Sequence, residues 1–283
     1  MIEVGSNSYG KSAIRLVKVV RGTTSHRVRD LTIAISLEGD FATSYSAGDN
    51  SAVIATDTMK NTAYALAGEH LTGAIEDFAT VLGRHFLDEP QVERVRVSIA
   101  EHAWRPIGSA PDAFTRDSSE TRTAAVAVGR DGRIVNAGIA DLAVMKTSRS
   151  AFRGFPRDRF TTLKETDDRI MATKVTAAWR YDPASAVDFD ASFEAVRATF
   201  LDVMADHDSV SVQASIWIVG KAILERHHEV AEISMSLPNL HHWTVDLSPF
   251  GIANDRQVYI STTEPHGLIE ATIRRSDEDA SRS

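Results

Sequence analysis

Three stretches of the chain are more polar than their strand-like or helix-like surroundings require, and each holds side chains that could carry chemistry. Tyr9-Gly10-Lys11 stands just before an apolar run. The segment from Thr56 through Asp57, Lys60 and Asn61 to Thr62 follows a short apolar stretch with no turn glycine. Ser236-Leu237-Pro238-Asn239-Leu240-His241-His242 separates two strand-like runs. Taken alone, each has an ordinary reading as well: Lys11 a solvated strand start, Thr56 or Asp57 a helix N-cap, Asn239 a turn residue. The histidine pairs His227-His228 and His241-His242 do not suit a metal, because neighbours on a strand point to opposite faces. No P-loop, G-x-S-x-G, H-E-x-x-H or post-strand G-x-G-x-x-G occurs. Cysteine is absent, which excludes disulfide scaffolds, thiolate zinc sites, iron–sulfur clusters and a cysteine nucleophile.

The elements that must position these groups belong to an ordinary globular protein. Of 283 residues, 43% are hydrophobic and 25% charged, values that exclude disordered and fibrous classes. The net charge of −8 argues against a general nucleic-acid binder and means that an anionic ligand needs a local Arg or Lys. No apolar run is long enough for a membrane helix, and Met1 to Gly10 carries no signal-peptide core. The last residues, Ser281-Arg282-Ser283, do not form the Ser-Lys-Leu peroxisomal address, so a cytoplasmic location is expected.

Period-2 patterns mark strands at Ser12–Arg21, Leu31–Leu37, Ser51–Thr56 and Val95–Ile99, and at Thr123–Val128 and Ile134–Met145 around an Asp-Gly hairpin signal. Leu71, Ile75, Phe78, Leu82 and Phe86 mark a helix from about Glu69 to Leu87. In the second half the order returns: a strand over Ile170–Trp179, helices along Val187–Met204 and Val212–Arg226, then strands at Glu232–Leu237, Trp243–Leu247, Val258–Thr262 and Leu268–Ile273. Strands in consecutive groups indicate α+β rather than βαβ. The halves meet near Ser148–Ala151 with no Pro/Gly/Ser-rich linker, as expected if they share one continuous sheet or core.

Several long segments, in order along nearly the whole chain, resemble the urate oxidase (uricase) family. They are YGKSAIRLVKV from Tyr9, DNSAVIATDTMKNTAYALA from Asp49, FTRDSSETRTA from Phe114, FRGFPRDRFTTLKETDDRI from Phe152, SVQASIW from Ser211, SLPNLHHW from Ser236 and HGLIEATI from His266. The resemblance implies the tunnelling fold: two tandem strand–helix–strand repeats, residues 1–148 and 149–275, followed by a polar tail over 276–283. It also implies a homotetramer around a β-barrel tunnel.

The same resemblance implies oxidation of urate by dioxygen and water to 5-hydroxyisourate and hydrogen peroxide, with no cofactor and no metal. Lys11, Thr56 and His241 match the family's proton relay. The residue types suit proton transfer, since a lysine near other positive groups can act as a base, a hydroxyl both donates and accepts, and histidine titrates near neutral pH. Arg169 and Gln213 match the clamp on the urate plane, and Phe152 the ring that stacks on it. Asn239 matches the residue holding dioxygen or water above the ring. Asp57 and Val212 match pocket positions whose backbone amides face the ligand. Lys11, Thr56 and Asp57 would come from one subunit and the others from its neighbour. Against the family pattern, Arg153 follows the stacking Phe, residues 107–113 match poorly, and the chain stops soon after Arg275. Other tunnelling-fold purine or pterin enzymes commonly use a carboxylate anchor and zinc with cysteine ligands. The Gln at the anchor position and the missing cysteines argue against them. A non-catalytic purine-binding relative would be expected to have lost Lys11, Thr56 or His241, and all three are present.

Overall fold

The alternating runs of the first third fold as long antiparallel strands in a computed structural model that describes residues 2–276. Of the tail expected over 276–283, all but the first residue lies outside the described residues. The chain forms two compact units, residues up to Ile139 with Ala178–Phe193, and Ala140–Ala177 with Glu194 onward.

In the first unit, β1 (Tyr9–Arg21), β2 (His26–Gly39), β3 (Val92–Pro106) and β4 (Phe114–Gly129) pair in that order, all antiparallel. Leu31, Ile33, Ile35 and Leu37 bury one face of β2, in register with Val95, Val97 and Ile99 of β3. Against them pack Phe78, Leu82 and Phe86 of helix α3 (Ile75–Leu87). Each such burial contributes about 1.5–3 kcal/mol, and the polar alternate positions face the other way.

In the second unit, β7 (Val230–Thr244) and β8 (Tyr259–Arg274) pair antiparallel under helix α5 (Val212–Arg226). The helix lies so close that a Cβ on Gly220 would meet Ile273 Cγ1 at 2.6 Å. Three elements, β5 (Gly132–Lys146), β6 (Met171–Tyr181) and α4 (Phe189–Asp206), are divided between the units. With α2 (Thr56–His70), chain order reads β1, β2, α2, α3, β3, β4 and then β5, β6, α4, α5, β7, β8: two strands, two helices and two strands, twice. The short α1 (Ala42–Ser46) precedes α2. This is the expected α+β architecture. The Asp-Gly hairpin forms as well, with turn residues Arg130 and Asp131 and Gly132 at φ +142°.

Three local expectations are corrected. Residues 51–55 form no strand, because side chains serve their backbone: Gln91 Nε2 donates to the Ala52 carbonyl (3.0 Å) and Tyr9 Oη accepts the Ile54 N–H (2.8 Å). The single helix expected over 69–87 is two helices, broken at 71–74. Leu71 is buried in the break and only mimics a helical stripe, while α2 buries the small spaced residues Met59, Ala63 and Ala67, which leave little periodic signal. The paired strands expected near the C-terminus are each one strand, β7 and β8. Their register shifts between Asn239 and His241, with Leu240 opposite residues 263–266, so the irregularity is absorbed as a bulge.

Candidate active site

The first unit gathers Lys11, Thr56 and Asp57 at one end of its sheet. Lys11 is half-buried on β1, opposite Ile35 and hence on the face that carries the helices. The preceding Gly10 has no alternative, since a Cβ there would lie 1.9 Å from the Ile35 carbonyl oxygen. Beyond Lys11 the register shifts, and Ala13 takes φ +56°, a conformation stored at bulges that re-aim a side chain. Tyr9, two residues before Lys11, packs edge-on against buried Phe41 at 4.8 Å. Its hydroxyl holds the Ile54 amide two residues before Thr56, so one side chain ties the Lys11 strand to the start of α2. Burial pushes the Tyr9 phenol pKa up, so it stays neutral.

Thr56 and Asp57 are the first two residues of α2. The cap expected of them is absent: the N-cap is Ala55, which supplies no side-chain acceptor. Among the described residues nothing accepts the N–H groups of Thr56 and Asp57, and the Thr56 hydroxyl makes no hydrogen bond. The Asp57 carboxylate accepts from Lys60 and, at 3.0 Å, from Asn61 Nδ2. The Lys60 hydrogen bond foremost, with a smaller pull from the Lys11 charge, holds the Asp57 pKa below the usual carboxylate range.

The second unit gathers the remaining six. Phe152 pairs by backbone with Thr166, its N–H donating at 2.9 Å and its carbonyl accepting at 3.1 Å. The Arg169 N–H donates to the Ser150 carbonyl at 2.8 Å, which swings its guanidinium over the Phe152 ring, Cζ 5.3 Å from the centroid. Phe155 stacks on the same ring at 5.0 Å. The ordinary reading of Arg169 as a partner of its acidic neighbours fails. Asp167 pairs with Arg153 at 2.6 Å and Asp168 with Arg256 at 3.3 Å. Among the described residues Arg169 keeps a buried Nε with no partner, and burial lowers its pKa because none of them compensates its charge.

Val212 and Gln213 are the first two residues of α5. Ser211 caps this helix by accepting the Ala214 N–H at 3.1 Å, which leaves the Val212 and Gln213 N–H groups without acceptors among the described residues. Gln213 is exposed and its amide is unengaged. Asn239, buried within β7 opposite Gly267, spends no side-chain hydrogen bond on the described residues, so it makes no turn. His241 is half-buried and stacked on Trp243 at 5.3 Å. Burial first, then the Arg169 charge, lowers its pKa below the ordinary histidine value, which leaves a neutral imidazole able to take a proton.

The arrangement therefore presents an uncompensated guanidinium above an aromatic ring, a free amide, a neutral imidazole and unfilled helix N–H groups, all suited to a flat anion with oxygens at its edges. No cluster of His, Asp and Glu able to hold a metal occurs among the described residues. Sequence reasoning missed the groups that aim these side chains: Tyr9, Trp243, and the serines at positions 150, 209 and 211. Tyr9 carried a signal in the polar Tyr9-Gly10-Lys11 stretch, and Ser211 and Trp243 lie within the matched segments SVQASIW and SLPNLHHW, whereas Ser150 and Ser209 carried none.

Comparison with known proteins covers nearly the whole chain. The family model described as uricase matches residues 7–127 and 135–270. The uricase of Arthrobacter globiformis is 44% identical over 280 residues, 99% of this chain and 92% of that protein. The uricase of Dictyostelium discoideum is 39% identical over 279 residues, 95% of this chain and 96% of its own. The crystal structure of the Arthrobacter globiformis uricase superposes with a TM-score of 0.94, covering 98% of this chain and 96% of that one.

Proposed function

The chain belongs to the uricase family, and on that premise we propose that it oxidises urate with dioxygen and water to 5-hydroxyisourate and hydrogen peroxide, using a Lys11–Thr56–His241 proton relay. Membership makes it a urate-oxidising oxidoreductase. The observation that carries the substrate is the Arg169 guanidinium, half-buried over Phe152 with no carboxylate partner. Urate is a flat anion whose carbonyl and ring nitrogen can accept two parallel N–H bonds from one guanidinium. Gln213 can donate and accept at the opposite edge, and Phe152 fixes the plane.

The chemistry needs urate stripped of protons before dioxygen can take electrons from it. Lys11 and the neutral His241 serve as proton acceptors, with the Thr56 hydroxyl passing a proton between groups. Asn239 holds dioxygen or water above the ring, and the free amides beginning α2 and α5 stabilise the negative charge that accumulates. No flavin, haem or metal is required: electrons pass from the urate dianion to dioxygen, and water supplies the oxygen that stays in the product.

Lys11, Thr56 and Asp57 are taken from one subunit and the other six residues from its neighbour, in a homotetramer whose sheets close a β-barrel tunnel. Two experiments test the reading. Chelator-treated protein mixed with urate in air should lose urate absorbance and release matching peroxide; urate that persists in a verified tetramer refutes the activity. Co-expressed Lys11→Met and Arg169→Ala chains, each inactive alone, should recover roughly a quarter of the sites if each site draws on two subunits. No recovery would place each site within one chain.

A further inference from the structure

Beneath the urate clamp lies a buried hydrogen-bond chain that touches no proposed ligand position. His207 Nδ1 lies 2.7 Å from the Val203 carbonyl oxygen, which can only accept, so that nitrogen carries the proton. Nε2 of a neutral His207 therefore accepts, and its partner at 2.8 Å is the hydroxyl of Ser215. The Ser215 Oγ in turn takes the Ser209 hydroxyl at 2.8 Å. Both serines are nearly solvent-free, at 0% and 2% exposure, so an unmet hydroxyl here could not turn to water.

Every segment that presents a clamp residue is tied to this chain. The Ser209 N–H donates to the Arg149 carbonyl (2.9 Å), and the Ser209 carbonyl accepts from Ala151 (2.7 Å), the residue before Phe152. Ser150, between those two, receives the Arg169 N–H. The Ser211 carbonyl, at the start of the helix that presents Val212 and Gln213, lies 3.2 and 3.1 Å from the Ser209 and Ser215 hydroxyls and is the alternative acceptor for the single hydrogen each carries. The stacking ring, the guanidinium and the α5 amides thus branch from one point.

We propose that His207 and Ser215 are positioning residues for urate binding, holding Phe152, Arg169 and the α5 N-terminus in one geometry through Ser209. The inference rests on the clamp proposed above. A group held by an outer partner loses alignment when that partner goes, and affinity with it. Because the chain reaches the clamp and not Lys11 or Thr56, its loss raises KM and leaves kcat nearly unchanged.

The test uses full-length tetramer and xanthine, a purine dione lacking the 8-oxo group, as a ligand that does not turn over. Ser215→Ala should weaken xanthine binding and raise the urate KM about ten- to a hundredfold, the range seen when the partners orienting a ligating group are removed. Turnover at saturating urate should stay within about threefold of the parent. His207→Ala should behave alike, and His207→Gln, which keeps an acceptor for the Ser215 hydroxyl, should lose less. If Ser215→Ala fails to fold, the two His207 variants decide. Unchanged xanthine affinity, a fall in kcat without a change in affinity, or equal losses in all three variants overturns the proposal. Arg169→Ala measured in parallel separates the layers: if it still binds xanthine, the clamp itself is wrong, whatever the serine does.

Discussion

Replacing Arg169 should weaken ligand binding severely without weakening the fold. Its guanidinium has no carboxylate partner and its Nε is buried and unpaired, so it contributes little to stability in the free protein. A buried donor left unsatisfied costs about 1–3 kcal/mol. Arg169→Met removes that cost and keeps an apolar side chain against Phe152, so the ligand-free melting temperature should hold or rise. A bound urate or xanthine changes the balance, because two hydrogen bonds to a charged donor contribute about 1.5–3 kcal/mol each. Allowing for water competing at a half-buried group, a loss of about 3–4 kcal/mol is expected, or several-hundredfold in Kd. Arg169→Lys keeps the charge but not the planar fork, so it should fall between, at roughly ten- to a hundredfold. Calorimetric titration with xanthine and scanning calorimetry of the free protein measure the two sides. A variant that melts several degrees lower yet binds xanthine normally would make Arg169 a structural residue and refute the reasoning.

Lys11→Met should leave xanthine binding nearly intact while slowing urate loss by about 100- to 10,000-fold, the usual contribution of one proton-transfer group; near-normal turnover would remove Lys11 from the relay. His241 should titrate below the ordinary histidine range, and its pKa should rise in Arg169→Met, partway only, because burial remains as the larger cause; an NMR titration of the imidazole in both proteins checks this. Glu76, fully buried beside Arg122 (2.8 Å), gives a stability effect away from the site. Burial lifts its pKa from 4.5 to about 7 even though Arg122 pulls it down, so the folded state binds a proton that the unfolded state releases. Its contribution is then full below about pH 4.5 and is lost as pH rises through 7. Thermal melts of Glu76→Gln should lack this decline between pH 5 and pH 7, and an unchanged decline would assign it to other groups.

What the sequence reveals here follows side-chain size and periodicity. The strand alternation of β2 and β3 is legible because Leu31, Ile33, Ile35 and Leu37 are large and almost fully buried. Helix α2 is not, because it packs through Met59, Ala63 and Ala67 and so shows no hydrophobic stripe. β7 hides for a different reason: Pro238 and the polar residues after it read as a break, yet the strand carries them through by placing a bulge at Leu240. In the candidate site, the groups proposed to face a ligand were singled out by residue type within long matched segments. The groups behind them are not. Ser209, Ser215 and His207 are individually ordinary residues, and only the crossing of backbone segments near Ser150 gives them a common purpose.

The two helix starts explain why residues so different in type share one proposed site. Thr56 and Asp57 open α2, and Val212 and Gln213 open α5, at the same first two helical positions. An α-helix leaves its first N–H groups unbonded, and chains normally cover them with a side-chain oxygen at the N-cap, worth about 1 kcal/mol. Here Ala55 offers none, and the Ser211 hydroxyl covers only the third residue, Ala214. Both helices forgo part of that stabilisation at the positions where an anion would sit. The exposed amides carry partial positive charge without adding another lysine or arginine, whose charge would disfavour proton uptake by His241. On the proposed mechanism, an acidic protein that binds an anion and also draws protons from it needs positive potential from groups that do not titrate. Backbone amides at helix starts meet both requirements, and in the proposed site Arg169 supplies the remaining charge while Phe152 fixes the plane.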